Sequence, residues 1–348
     1  MDTDVTRIFL VGRHGALLVE RIWLLVLQRS PSASLGMTDE RGESSVLILG
    51  GMKMVRIPAP DFDLAATLNC GQVFHWEMHN DGFVGTIGEV PVYVEQQNDS
   101  LKVALASSRS VEGRRQDADV TIQTYFALDH PLGEICASFP RDETMIAAND
   151  FCRGLRIIRQ PKWECLATFI CSSMKQVAHI RQISHALRNC FGNEHSVNRR
   201  QVFAFPSAKR IAGTTEKALR NCGLGYRAKN LHATGQRVAA GEAKLESWTE
   251  LPDSDVHARL CDLPGVGAKI ANCVMLFAYE RTRAFPIDVW IARVLRERYF
   301  ERKSRPTDKR LREFAADYFG EHGGYAQQYL FHHARMTTKR RKSGKVPA

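Results

Sequence analysis

The stretch "CDLPGVGAKIANCV" (residues 261–274) decides how the rest of this chain is read. A proline and two glycines, poor helix formers, run directly into a segment of helical composition. The spacing predicts a helix in "SDVHARLCDL" (254–263), a tight turn in "PGVG" (264–267) and a second helix from Ala268. Glycines let a turn's backbone approach an anion closely, and the unpaired amides of a helix start favour one. A helix-hairpin-helix of this kind, with Gly265, Val266 and Gly267 at its tip, positions DNA by its phosphates without reading sequence. Lys269 stands in the first turn of the second helix, where the dipole disfavours a cation. A bound anion, and chemistry performed on it, gives that lysine a purpose. The plainer alternative is an αα-hairpin whose glycines only close a turn.

One helix and one loop further on, "RTRAFPIDVWIARVLRERYF" (281–300) places Asp288 at the entrance to another helix. Its plain role is the N-cap. Its sharper role is a carboxylate returned to the side of Lys269. A lysine nucleophile attacks carbon once it has lost its proton, and a sugar losing its base gains positive charge that a carboxylate stabilises.

Length and composition frame these motifs. With 348 residues the chain has material for two domains and a substantial core. Lys and Arg outnumber Asp and Glu by 48 to 38, a net charge of +10 that suits a polyanionic partner. The nine cysteines are scattered without a CxxC pair, which predicts no disulfide framework, no metal site and a reducing, intracellular compartment. No run of 18 apolar residues occurs, so no membrane span is expected. The most apolar stretch, "IFLVGRHGALLVERIWLLVLQ" (8–28), is cut by Arg13, His14, Glu20 and Arg21, and no small-residue cleavage site follows closely.

The fold class expected is α+β, a small antiparallel sheet followed by a mainly helical body. Residues 1–51 read as a poorly ordered N-terminal extension, with one short helix over 16–27 and a polar Ser/Gly run at 30–45. Residues 52–150 read as the sheet domain, with Met52 or Met54 as its first residue. "QVFHWEM" (72–78), "GFVGTIG" (82–88), "VPVYVEQ" (90–96) and "LKVALA" (101–106) alternate with period two between turn clusters. Residues 151–336 read helical almost throughout, with helices starting near Ser207, Thr214, Tyr226, Ser254, Ala268, Asp288, Thr307 and Tyr325. A basic tail occupies 337–348.

Beyond the hairpin and Asp288, five more segments resemble, in order, the 8-oxoguanine DNA glycosylase family of the helix-hairpin-helix, Gly/Pro-rich loop, Asp superfamily. They are "LNCGQVFHW" (68–76), "YFALDHPL" (125–132), "RIIRQPKWECLATFICSS" (156–173), "GLGYRAKNL" (223–231) and "GYAQQYLFHHA" (324–334). With "LPGVGAKIANCVMLFA" (263–278) and "FPIDVW" (285–290) they carry the resemblance over about residues 56 to 336. The resemblance implies a monomeric, bifunctional glycosylase and lyase that flips an oxidised purine out of duplex DNA and needs no cofactor. By it, Lys269 is the nucleophile and Asp288 its electrostatic partner. Gly71 offers a carbonyl to the extra N7 hydrogen of 8-oxoguanine, where guanine would present a second acceptor. Cys273 and Phe331 sandwich the base, and Gln327 reads its Watson–Crick edge. Tyr226 and Arg227 wedge into the duplex where the base has left.

Three departures from the family pattern stand out. Met174 and His179 occupy the positions of an Asn and an Arg that read the opposite cytosine, so relaxed opposite-base selectivity is expected. Lys175, Arg181 and Arg227 are the other candidates for that reading. Trp290 replaces a phosphate-contacting His. No cysteine follows Cys273, which argues against the iron–sulfur members of the superfamily. Two alternatives stay open: a glycosylase for alkylated or deaminated bases, and a non-catalytic DNA-binding helix-hairpin-helix protein.

Overall fold

The computed structural model describes residues 46–49, 52–105, 121–173, 175–301 and 305–342. The helix expected over 16–27, and Met174, lie outside the described residues. Strands β1 (Val46–Leu49), β2 (Met52–Pro58), β3 (Glu77–His79), β4 (Gly82–Ile87), β5 (Val90–Gln97) and β6 (Ser100–Leu105) form one antiparallel sheet. Their order is β1-β2-β6-β5-β4-β3. The sheet therefore begins at Val46, upstream of the start expected at 52.

Alternation along the strands is physical. Val92, Val94 and Val103 face one core with Ile57, Leu68, Trp76 and Phe126, while Val84, Tyr93 and Ala104 face the opposite side. Asn80 and Asn98 open the β3–β4 and β5–β6 connections at positive φ, the conformation two-residue hairpins demand. "QVFHW" is not a strand. Val73, Phe74, His75 and Trp76 are all buried in an irregular segment, so period two was misleading there.

The helices that shape the site are α1 (Leu64–Asn69), α2 (Lys162–Ser172), α3 (Val177–Phe191), α4 (Arg227–Ala239), α5 (Asp253–Cys261), α6 (Ala268–Ala278), α7 (Val289–Arg298), α8 (Asp308–Phe319) and α9 (Gly323–Lys342). Helices α2 and α6 are buried along almost their whole length and form the centre of the main core. The helical body also holds a hairpin that "EHSVNRRQVF" hides, β7 (Glu194–Val197) and β8 (Arg200–Phe203), turning through Asn198 and Arg199 at positive φ. Val197 and Val202 cover the outer face of the sheet against Val84 and Tyr93.

A buried polar cluster joins sheet and body. The Arg188 guanidinium pairs with Glu164 and donates to Thr86 Oγ1 at 2.9 Å and the Phe203 carbonyl at 2.8 Å. His75 Nδ1 lies 3.3 Å from the same Glu164 carboxylate. Burial drives the His75 imidazole well below its ordinary pKa, assisted by the Arg188 charge. Among the described residues no helix is long and apolar enough to cross a membrane.

Candidate active site

The hairpin forms as its sequence requires. Val266 N–H donates to the Leu263 carbonyl at 3.1 Å, and Thr234 Oγ1 of α4 holds the Pro264 carbonyl at 3.0 Å. Gly265 takes φ +80, and a Cβ there would lie 2.7 Å from the Asn230 side chain, so glycine is needed on two counts. Val266 is buried and anchors the turn, whereas Gly265 and Gly267 are exposed. Gly267 caps α6, and the space where its Cβ would stand is open. The first α6 amides lack intrahelical partners.

Lys269 follows in the first turn of α6 and is half-buried. Its Nζ donates to Ser172 Oγ at 3.4 Å and sits 5.2 Å from the centre of the Phe169 ring. Ser172 Oγ in turn donates to the Phe169 carbonyl at 2.7 Å, which fixes the hydroxyl's orientation with its lone pairs toward the lysine. Cys273 lies one turn along α6 from Lys269 and touches it. Burial pushes the Cys273 thiol up, so it stays neutral beside the amine.

Asp288 is the N-cap of α7 and lies within reach of the Lys269 charge. Its Oδ1 accepts from Trp290 N at 3.0 Å and Ile291 N at 2.9 Å, capping α7. Burial raises the carboxyl above its ordinary value, against the pull of those amides and of the nearby Lys269 charge. The lysine acts on it through space rather than as a bonded partner.

The far wall comes from α1 and α9. Gln327, Phe331 and Arg335 recur every four residues on one face of α9. A methyl added to Gly71 would lie 2.9 Å from Arg335 Nη1 and 3.1 Å from Phe331 Cε1, so the glycine and that face meet directly. Gly71 takes φ +96. The carbonyls around it are taken: Leu68 by Arg181 at 3.3 Å, Asn69 by Arg335 at 2.7 Å, Cys70 by Gln328 at 3.2 Å and Gln72 by Gln160 at 2.7 Å. Among the described residues none donates to the Gly71 carbonyl. Gln327 is 4% exposed, and its Oε1 has no hydrogen-bond partner. Gln327 Oε1 is thus a buried acceptor without a partner, which is costly unless a ligand supplies a donor.

The Asp288 charge also acts, weakly, on Arg335. The DNA-facing candidates are spread around the site. Tyr226 is 57% exposed, and His179 is exposed in the first turn of α3. Trp290 is half-buried in the first turn of α7 with the Arg293 guanidinium 5.5 Å from its ring. Arg227 departs from expectation. It is buried and donates to the Ser173 and Leu224 carbonyls, with its guanidinium 4.3 Å from the Tyr226 ring. It braces the corner before residue 174 instead of projecting toward a duplex. Arg181 is committed likewise, to the Leu68 carbonyl and Asn69 Oδ1. Sequence reasoning missed Ser172 and Arg335. The four-residue spacing from Gln327 through Phe331 pointed to Arg335; no pattern marked Ser172.

Known proteins similar to this chain carry related names. Residues 54–166 match the 8-oxoguanine DNA glycosylase N-terminal domain, and residues 167–320 match the HhH-GPD superfamily of base excision DNA repair proteins. A probable N-glycosylase/DNA lyase of Methanothermobacter thermautotrophicus is 29% identical, over 81% of this chain and 96% of its own length. The N-glycosylase/DNA lyase OGG1 of Arabidopsis thaliana is 26% identical over 80% of this chain and 78% of its own. Among solved structures, MBOgg1 with a low-affinity DNA ligand superposes at TM-score 0.77 with 30% identity, covering 85% of this chain and 99% of that one. The Clostridium acetobutylicum 8-oxoguanine glycosylase/lyase, bound to duplex DNA with cytosine opposite 8-oxoguanine, superposes at 0.76 with 29% identity, covering 86% and 100%.

Proposed function

The chain belongs to the 8-oxoguanine DNA glycosylase family of the helix-hairpin-helix superfamily, and on that premise we propose that it excises 8-oxoguanine from duplex DNA and nicks the strand. The observations that carry this reading are a Lys269 held by Ser172 and near Asp288, and a Gly71 carbonyl and Gln327 Oε1 that accept from no described residue. The hairpin tip and the first α6 amides take backbone phosphates. The target nucleotide turns out of the stack into the space between Cys273 and Phe331.

Recognition follows from donors and acceptors. 8-Oxoguanine carries a hydrogen on N7, which the Gly71 carbonyl accepts; guanine sets a lone pair against that carbonyl and leaves both unsatisfied. Gln327 Oε1 accepts from the base's Watson–Crick edge. Lys269 Nζ then attacks C1′ of the sugar. The C1′–Nζ bond forms as the C1′–N9 bond breaks; the base leaves with the bonding electrons and takes up the proton that the newly bonded nitrogen sheds. The ionised Asp288 stabilises the positive charge on the sugar. Ring opening gives a Schiff base on Lys269, and loss of a C2′ proton expels the 3′ phosphate.

The direct test is a duplex carrying one 8-oxoguanine opposite cytosine, followed for base release and strand cleavage. Both are expected, with none on the undamaged duplex. Release of only an alkylated or deaminated base would change the substrate, and tight binding without release would reduce the protein to a DNA-binding module.

A further inference from the structure

Arg335 is an expensive residue for its position. It is 6% exposed, its Nε has no hydrogen-bond partner, and no carboxylate among the described residues pairs with it. Burial lowers its pKa and the charge of Arg181 pushes the same way, against the smaller pull of Cys70 and Asp288. A buried, unpaired cation weakens a fold unless something else recovers the cost. Apart from Nη2 near His332 Nδ1 at 3.5 Å, its contacts lead to the recognition wall. Nη2 donates to the Asn69 carbonyl at 2.7 Å, the guanidinium lies 5.3 Å from the centre of the Phe331 ring, and Nη1 lies against Gly71. Arg181 grips Asn69 from the other side, through its Oδ1 at 2.8 Å.

We propose that Arg335 is a positioning residue for the damaged base, locking the Gly71 carbonyl and the Phe331 ring into one recognition surface. The inference rests on the excision reading above. One planar cation spans two elements distant in sequence, the loop after α1 and the last helix. By holding Asn69 it fixes the peptide that aims the Gly71 carbonyl. By lying on Phe331 it fixes the ring that stacks on the base, and its charge strengthens a stack of base, ring and guanidinium. Methionine could fill the space but would supply neither function. Lysine would supply a donor for Asn69 without the planar face.

The test compares wild type, Arg335→Met and Arg335→Lys on two duplexes, one with 8-oxoguanine and one with a preformed abasic site. Single-turnover excision of 8-oxoguanine by Arg335→Met is expected to fall on the order of tenfold, the loss of a charge-assisted hydrogen bond. Cleavage at the abasic site, which needs no base reading, is expected to fall much less. Arg335→Lys is expected to recover part of the excision rate. Equal loss on both duplexes would assign Arg335 a purely structural role, and no loss on either would remove it from recognition; each result overturns the proposal. If Arg335→Met does not fold, the Lys variant decides by the same split. A wild type that cleaves neither duplex would defeat the excision reading itself, whereas a wild type that excises as fast as Arg335→Met defeats only this inference.

Discussion

The two walls of the site are built in opposite ways. The chemical wall, Gly265 to Trp290, is one continuous stretch: a hairpin, α6, a loop and the cap of α7. Its turn glycines are exposed and its first-turn amides lack intrahelical partners. The recognition wall joins Asn69 and Gly71 to Phe331 and Arg335, and the carbonyls flanking Gly71 are bonded while the Gly71 carbonyl and Gln327 Oε1 are not. Chemistry here needs a lysine, a carboxylate and an anion grip within a short reach, which one supersecondary unit supplies. Discrimination needs rigidity, because a carbonyl that could swing away would tolerate guanine as well. Rigidity comes from long-range bonds. The difference predicts that substitutions on the chemical wall stop every reaction, while those on the recognition wall separate excision from strand cleavage.

The largest effect is expected from Lys269→Gln. Removing the nucleophile should lower both excision and abasic-site cleavage by a factor on the order of 10³ or more. Affinity for damaged duplex should change little in a gel-shift assay at fixed salt, since the hairpin amides remain. Residual strand cleavage at a tenth of the wild-type rate would remove Lys269 from the mechanism.

Asp288→Asn sharpens the chemical wall next. Asparagine keeps an Oδ1 for the amides of Trp290 and Ile291, so the α7 cap survives. Excision should drop by roughly 10²-fold with loss of the carboxylate charge. The sign of the stability change follows from burial. The folded-state pKa of Asp288 is raised, so its contribution is fully present below the unfolded-state pKa and is lost as pH rises through the folded value. At neutral pH the ionised side chain is a burden, and the variant should melt no lower than wild type. For the same reason, wild-type activity should fall on the acid side at a pH above the ordinary aspartate value of about 3.9. A melting temperature that falls in step with activity would reduce Asp288 to a cap.

Gly71→Ala tests the recognition wall. At φ +96, with Arg335 Nη1 2.9 Å from the new methyl, the substitution strains the loop on the order of 1–3 kcal/mol. Excision of 8-oxoguanine should fall by more than cleavage of an abasic duplex. Equal losses on both substrates would break the comparison between the walls.

The smallest effect concerns the base left behind. His179 is exposed and Arg227 is committed to the Ser173 carbonyl, so no bidentate donor among them is free for cytosine. One such contact is worth ~1–3 kcal/mol of discrimination. Excision should therefore vary only severalfold among cytosine, thymine, guanine and adenine opposite the lesion. Met174→Asn with His179→Arg should widen that spread toward cytosine. A hundredfold preference in the unmodified protein would assign the reading to another residue.

What the sequence disclosed follows the same division. Lys269, Asp288 and the hairpin glycines were legible because each has a local cause in turn, cap and helix start. The β4–β5–β6 meander was legible because its two faces meet different cores. "QVFHW" misled, since a buried irregular segment also hides apolar residues and no period distinguishes it from a strand. The hairpin at 194–203 was lost in a helical context although its Asn-Arg turn marked it. Arg227 was assigned by resemblance to the duplex, and the fold spends it on Ser173; a side chain's partners are set by what packs opposite, which no local pattern records. Arg335 was missed although it continues the four-residue spacing of Gln327 and Phe331, as its worth arises where α9 meets Gly71.

The central claim, that Lys269 is the nucleophile of a base-excision reaction, is tested most directly by borohydride reduction during turnover on an 8-oxoguanine duplex. Peptide mapping of the trapped protein should place the sugar adduct on Lys269, within the α6 segment that follows the hairpin. An adduct on another lysine, or excision with no adduct, would contradict it.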